Sequence, residues 1–258
     1  MKLTETLEKD YENIKANTQQ AVYKNTDPAI GRLLSIFEKI DSESQKKMVN
    51  EIYEDCINGI SSEKFTKEII ESLLFAANNG DKKVKSTFGI FLSSLVNIHY
   101  EQTKNEEEYL LFTENISESL ERMGYKMNGA QICIIGNAGT YLCQYMQSGK
   151  CIVSGNTDSL AGGYMSGGSL LLEGNVEASA GIFIEGGSIT IKGTVEEYAG
   201  HNMYEGRIDI FGETRGEIGK NMKGGVIHTY ANKPIISKEI NGGTIYHQDM
   251  QIFPEGEK

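Results

Sequence analysis

Three residues of this 258-residue chain share a spacing that could build a metal site: Asp209, His228 and His247, each 19 positions from the next. On a repeating unit of that length they would stack in one outward column. Carboxylate and imidazole both ligate zinc, but a metal site needs three or four ligands converging on a point rather than standing in a row. The last interval is also irregular. Gly242-Gly243 follow Gly224-Gly225 one position early, which places Tyr246, not His247, beside His228, so the column reads as solvent-facing. His99, near the end of an apolar stripe, and His201 have no partner identifiable from spacing. Gly136-x-x-Gly139 and Gly212-x-x-x-Gly216-x-x-Gly219 are locally suggestive of a phosphate loop. Such a loop requires a strand before it and a helix N-terminus after it, and here each glycine group is followed by another strand-like segment.

The carboxylates are no more convergent. Glu173 and Lys192 stand one repeat apart and read as a cross-coil ion pair; a polysaccharide-cleaving groove needs paired acids on one face. The four cysteines at 56, 133, 143 and 151 contain no C-x-x-C pair, which excludes a zinc knuckle. Cys151 falls in an apolar inward column, Cys143 takes the place of a glycine in its column, and Cys133 points outward, where its thiol could be reactive. No nucleophile–base or acid–base pair can be assembled, so the reading is of a chain that is more readily a non-enzyme, with no cofactor and no metal.

The elements that position these residues divide the chain in two. Of 29 glycines, five lie in residues 1–126 and 24 in 127–258, while the net charge of −11 divides almost evenly between the halves. Glycines at 136, 155, 174, 193 and 212 repeat with a period of 19; Gly162, Gly181, Gly200 and Gly219 form a second column with the same period. Apolar residues keep step: Ile132, Cys151, Leu170, Ile189, Ile208, Ile227, with Ala161, Ala180 and Ala199 as a small column. One such unit cannot bury its own apolar face, but stacked coils about 4.8 Å apart build a continuous core. Glycine in fixed columns serves the corners. This predicts a parallel β-helix of about six coils over 127–258.

Residues 1–126 read as a bundle of five or six helices. Leu3, Leu7, Tyr11 and Ile14 make one apolar face, Phe65, Ile69 and Leu73 another, and Val84, Phe88, Phe91, Leu95 and Ile98 a third. Asp27-Pro28 and the Ser42-x-x-Gln45 capping-box spacing mark helix starts. Gly59 and Asn78-Asn79-Gly80-Asp81 mark ends, and Asn115-x-x-Glu118 opens a last helix closed by Gly124.

Two outward columns are apolar on the first three coils and polar afterwards. Tyr145, Tyr164 and Phe183 are followed by Asn202 and Asn221; Cys133, Ile152 and Leu171 are followed by Thr190, Asp209 and His228. Contiguous apolar columns mark a covered surface, here expected to be covered by the helical half, by a second subunit, or by both. The acidic balance argues against nucleic acid and anionic membrane as partners. No run of about 18 apolar residues is present and the charged N-terminus lacks a signal-like apolar stretch, so the expectation is a cytoplasmic protein with a protein partner or homo-oligomer.

The units GNAGTYLCQYMQSGKCIVSGN and GGSLLLEGNVEASAGIFIEGGSITIKG, with Asn137-Ala138-Gly139, Tyr141 and the Gly-Asn steps at 155–156 and 174–175, resemble the GXGXG-type right-handed β-helix family. That family includes the C-terminal domain of the glutamate synthase large subunit and one of the subunits of formylmethanofuran dehydrogenase. The resemblance covers roughly 129–250 and implies a right-handed β-helix that organises neighbouring catalytic domains without a reacting group of its own. The functional expectation is a scaffold, adaptor or assembly protein. One alternative is an accessory subunit of a glutamate-synthase-like or formylmethanofuran-dehydrogenase-like complex; a second is a stand-alone carbohydrate-active β-helix enzyme.

Overall fold

The computed structural model describes residues 27–78, 87–104, 108–114, 116 and 119–253. Among the described residues four helices precede a parallel β-solenoid: α1 (Pro28–Ser44), α2 (Val49–Ile60), α3 (Lys67–Asn78) and α4 (Phe88–Thr103). Helix α1 starts where Asp27-Pro28 places it, the Asp27 carboxylate accepting from Ala29 N at 2.8 Å. The Ser42 expectation fails: Ser42 lies inside α1, and the start of α2 is held instead by Met48 N donating to Glu51 Oε2 at 2.7 Å. Gly59 is not a left-handed cap. A methyl group there would lie 3.0 Å from Ile36 Cγ2, so the glycine lets α1 and α2 cross closely. The 3–14 stripe lies outside the described residues, as do Val84, 79–81, Asn115 and Glu118.

The first nine residues of helix α4 leave no face to solvent. Phe88 through Val96 are all buried, because the helix packs on its bundle from one side and on the first coil from the other. A Cβ at Gly89 would strike the Glu121 carbonyl. The Ser93 hydroxyl accepts from Tyr125 N at 3.2 Å and lies 3.0 Å from Arg122 O, and Asn97 Nδ2 donates to Tyr125 O at 3.2 Å. The buried pair His99 Nδ1 and Tyr109 OH is 2.7 Å apart. Burial lowers the His99 pKa, Lys67 adding to the effect and Glu68 opposing it, and raises that of Tyr109 to about 12.

The solenoid begins earlier than residue 127. Strand β1 (Glu108–Phe112) pairs in parallel with β2 (Asn128–Ile135), and Tyr109 lies beside Ile132. Of the helix expected to end at Gly124, the described residues form none: 119–127 make the turns of the first coil, with Gly124 at φ 73°. Locally these residues resemble a helix end, but their backbone groups are claimed by the next coil or by the turn itself. Cys143 N, for example, donates to Met123 O at 2.8 Å.

From β2 the sheet continues through β3 (Ser148–Val153), β4 (Ser166–Leu172), β6 (Gly186–Ile191), β8 (Arg207–Ile210), β10 (Val226–Thr229) and β12 (Thr244–His247). The register matches the sequence columns: Ile132, Cys151, Leu170, Ile189, Ile208, Ile227 and Ile245 stack in line, none more than 1% exposed. His228 faces Tyr246, as the short last coil requires. About seven coils span 108–247. Shorter pairs, β5 (Val176–Ala178) with β7 (Val195–Glu197) and β9 (Glu217–Ile218) with β11 (Ile235–Ile236), form other sides of the coil. Strand β13 (Met250–Phe253) turns back antiparallel on β12 and closes the far end of the sheet. One hydrophobic core runs from Leu33 in α1 to Ile245 in β12.

Candidate functional site

The tyrosine column stands on an unusual stretch of backbone. At this corner two reverse turns overlap: Gln144 N donates to Tyr141 O and Met146 N to Cys143 O, both at 3.1 Å; the pair recurs at 160–165 and 179–184, and the next two coils keep the second turn, Met203 N to Gly200 O at 3.2 Å and Met222 N to Gly219 O at 3.0 Å. A reverse turn of type II places its third residue at positive φ. The first turn meets this with Cys143 (53°), Gly162 (67°), Gly181 (68°), Gly200 (67°) and Gly219 (73°). The second uses Tyr145 (59°), Tyr164 (58°), Phe183 (53°), Asn202 (55°) and Asn221 (54°). Asparagine tolerates this conformation; a bulky aromatic is uncommon there and costs about 1–2 kcal/mol per position.

What the aromatics gain is one another. Tyr145 and Tyr164 stack with centroids 5.0 Å apart, Tyr164 and Phe183 at 5.0 Å, Phe183 and Tyr204 at 6.5 Å. At the near end Tyr125 meets Tyr145 edge-on at 5.9 Å and Tyr53 of α2 meets Tyr125 at 5.3 Å; at the far end Lys223 Nζ sits 4.5 Å over Tyr204. Each stacked pair contributes about 0.5–1.5 kcal/mol beyond area burial, which roughly offsets the backbone strain. Folding stability alone therefore gives little reason for rings rather than asparagines. Tyr145 and Tyr164 remain 40% and 36% exposed. The ring faces are turned to each other, so the ladder offers edges and hydroxyl groups, not the open face on which a sugar stacks.

Sequence reasoning found Tyr145, Tyr164 and Phe183 but missed the rest of this corner. Tyr204 sits two residues beyond its column, and Tyr53 comes from a helix. Tyr141, Leu160 and Tyr198, also at positive φ, share a third column of the same period, which the spacing alone could have disclosed. Among the described residues, the helices meet the ladder through Tyr53 against Tyr125.

The second apolar column lies on the outer face of the long sheet. Cys133 and Ile152 are 1% and 3% exposed, and Leu171 is half-buried. Cys133 is no reactive thiol: desolvation and the neighbouring Glu108 raise its pKa to about 12. Cys56 is raised to about 12 as well, and Cys151 well above the usual range, beside Cys143 in the core. Since the thiolate is the nucleophile, we expect a disulfide reagent such as DTNB at pH 8 to label none of the four cysteines in the native chain and all four in guanidinium. Stoichiometric native labelling of Cys133 would contradict this burial.

The remaining glycines have packing roles. A Cβ at Gly155, Gly174, Gly193 or Gly212 would overlap the carbonyl of the coil below, as at Gly136 it would overlap Thr113 and Glu114. Beside them an asparagine ladder ties the coils: Asn137 Oδ1 accepts from Asn156 N at 2.8 Å, Asn156 Oδ1 from Asn175 N at 2.9 Å, and Asn175 Oδ1 from Thr194 N at 2.8 Å. The Gly-Asn steps therefore join coils together, with the oxygen of each asparagine already engaged.

The histidine column does not converge. Arg207 takes both Asp209 oxygens, at 2.7 and 2.6 Å, His228 stands 4.0 Å from Asp209, and burial and Arg207 lower its pKa. His247 turns away to the Ala231 carbonyl at 2.9 Å. Among the described residues no group of three His, Cys, Asp or Glu side chains could hold a metal. Glu173–Lys192 (2.6 Å) and Glu196–Arg215 (2.8 Å) are cross-coil pairs; being exposed, each is worth a few tenths of a kcal/mol.

Two polar hollows flank the first coils. One, about 370 Å³, is lined by Thr113, Ser119, Asn137, Asn156 and Asp158 among others; the other, about 240 Å³, lies at the foot of the ladder between Tyr53, Asn97, Glu101, Lys126, Asn128 and Gln147. Among the described residues no helix is long and apolar enough to cross a membrane. Compared with family models and with curated proteins, the chain matches none.

Proposed function

We propose that this protein is a non-catalytic scaffold or assembly module, and that the aromatic corner of its solenoid is the surface on which other protein docks. The observation that supports this most is the placing of Tyr145, Tyr164 and Phe183 at positive φ, where the same chain uses asparagine in the next two coils. Stacking about repays the strain, and backbone strain that folding does not require points to a role at the surface. Aromatic residues on a rigid frame are the usual anchors of protein interfaces. The carboxylates of the solenoid fit the same reading, since Glu173, Glu196 and Asp209 are engaged with basic side chains.

Within this reading the solenoid is of the GXGXG type, as the Gly-Asn steps and paired-glycine corners suggest. Its relation to glutamate synthase or formylmethanofuran dehydrogenase would then be one of shared architecture, with an accessory role in such a complex as the alternative. The test is a photo-cross-linking residue placed in the full-length chain at Gln147, beside the ladder, and in a second version at Lys192, away from it. We expect one protein adduct of defined mass from position 147 and none from 192. Equal adducts from both, or none from 147, would overturn the docking reading.

A further inference from the structure

The charges along the aromatic corner follow an order that the fold makes meaningful. Equivalent nine-residue corners recur at 121–129, 140–148, 159–167, 178–186, 197–205 and 216–224. The first carries Glu121, Arg122 and Lys126, net +1; the next two carry no charge at all. The fourth carries Glu185 (−1), the fifth Glu197 and Glu205 (−2), and the sixth Glu217, Lys220 and Lys223 (+1). Beyond the first corner, on the helices, Glu54 acts electrostatically on Tyr53, while Glu101, which lines the hollow with Lys126, is paired with Lys104 at 2.7 Å. Along the axis the signs run negative, positive, neutral, neutral, negative, more negative, positive. Reversed about Tyr164 in the third corner, this order sets the positive first corner on the doubly negative fifth, and the uncharged second corner on the fourth with its single Glu185.

From this we infer that the corner binds a second copy of the same chain, the two solenoids running antiparallel across a two-fold axis at Tyr164. The inference rests on the docking reading and names the partner. A two-fold axis lying in the contact plane and perpendicular to the solenoid keeps each column opposite itself and reverses the order of coils. Tyr164 then meets Tyr164, Tyr145 meets Phe183, and the Lys126 end meets the Glu197–Glu205 end. The Lys220–Lys223 corner meets the helical end with Glu54. The parallel arrangement would instead set the −2 corner on its own copy. In a chain of net charge −11, general repulsion between copies leaves the uncharged centre as the place of approach.

Five coils about 4.8 Å apart make a strip about 20 Å long between the outer rungs. That is below the area of a standard interface, so a reversible dimer with a micromolar dissociation constant is expected. Sedimentation equilibrium of the full-length chain from about 1 to about 500 µM tests it. Y145N/Y164N places at both positions the residue used by the next coils, so the backbone is undisturbed, and dimer affinity should fall at least tenfold with the melting curve nearly unchanged. K126E and E205K should each weaken the dimer severalfold, and K126E/E205K should restore it, because each copy then presents the exchanged pair. A wild type monomeric throughout, a dimer indifferent to Y145N/Y164N, or K126E/E205K weaker than both single variants would each overturn the inference. A monomer that still forms the position-147 adduct with a different protein overturns the second copy as partner and leaves the docking reading standing; a monomer without that adduct removes both.

Discussion

Ile189→Asp is expected to lower the unfolding free energy by about 4 kcal/mol or more at pH 7, the charge-burial end of mutational effects. Ile189 is wholly buried and lies in register between Leu170 and Ile208, themselves 1% and 0% exposed. A carboxylate there has apolar neighbours above and below and no basic group in its column. The acid would take up a proton rather than remain charged, so its folded-state pKa would lie above the unfolded value near 3.9. Stability held by such a group is present at low pH and lost as pH rises from the unfolded towards the folded pKa. The deficit relative to wild type should therefore be smaller at pH 4 than at pH 7. Ile189→Val, which keeps the column apolar, should cost only about 1 kcal/mol. Denaturant melts of the three chains at both pH values check this; an unchanged midpoint for Ile189→Asp would overturn the register.

The second large effect concerns glycines of different kinds. Gly200 has φ +67°, and a Cβ there would lie 2.6 Å from Ile227 Cδ1, the free end of a flexible side chain. Gly193 has no positive φ, but its Cβ would lie 2.2 Å from Gly174 O and 2.4 Å from Gly174 C. Ile227 can rotate aside; the Gly174 carbonyl is fixed by its own coil. Gly200→Ala should cost about 1–2 kcal/mol through left-handed strain, and the larger Gly200→Val more. Gly193→Ala should cost about 2–4 kcal/mol by wedging two coils apart and loosening the bond from Thr194 N to Asn175. Urea melts of the two alanine variants compare them directly. If Gly200→Ala proved the worse, dihedral strain and not coil contact would govern the glycine columns.

How the helices meet the solenoid was not legible. The apolar stripe Phe88–Phe91–Leu95 suggests one buried face, whereas α4 is buried all round from Phe88 to Val96 because it also closes the first coil. Spacing within a helix reports how many apolar positions share a face; it is silent about a neighbour contributed from a later stretch of chain. For the same reason β1 went unseen. Its pairing with β2 sets Tyr109 beside Ile132, a longer interval than the period that reveals the later coils, and Tyr109 is recognisable as a core residue only once it lies there.

The sequence by itself determined the solenoid: period, inward columns, register and the slip that sets His228 against Tyr246 all follow from counting. A repeat stacks like on like, so equal spacing along the chain becomes contact in space. Only the tertiary structure decided the character of the candidate surface. Counting places Tyr145, Tyr164 and Phe183 outside, but it does not reveal that they stand at positive φ or that Tyr53 and Tyr125 lengthen their stack towards the helices. Nor does it reveal that Cys133, outward by alternation, is nevertheless buried. Backbone dihedrals and burial depend on what the neighbouring coils and helices supply, and a single unit of the repeat does not carry that information.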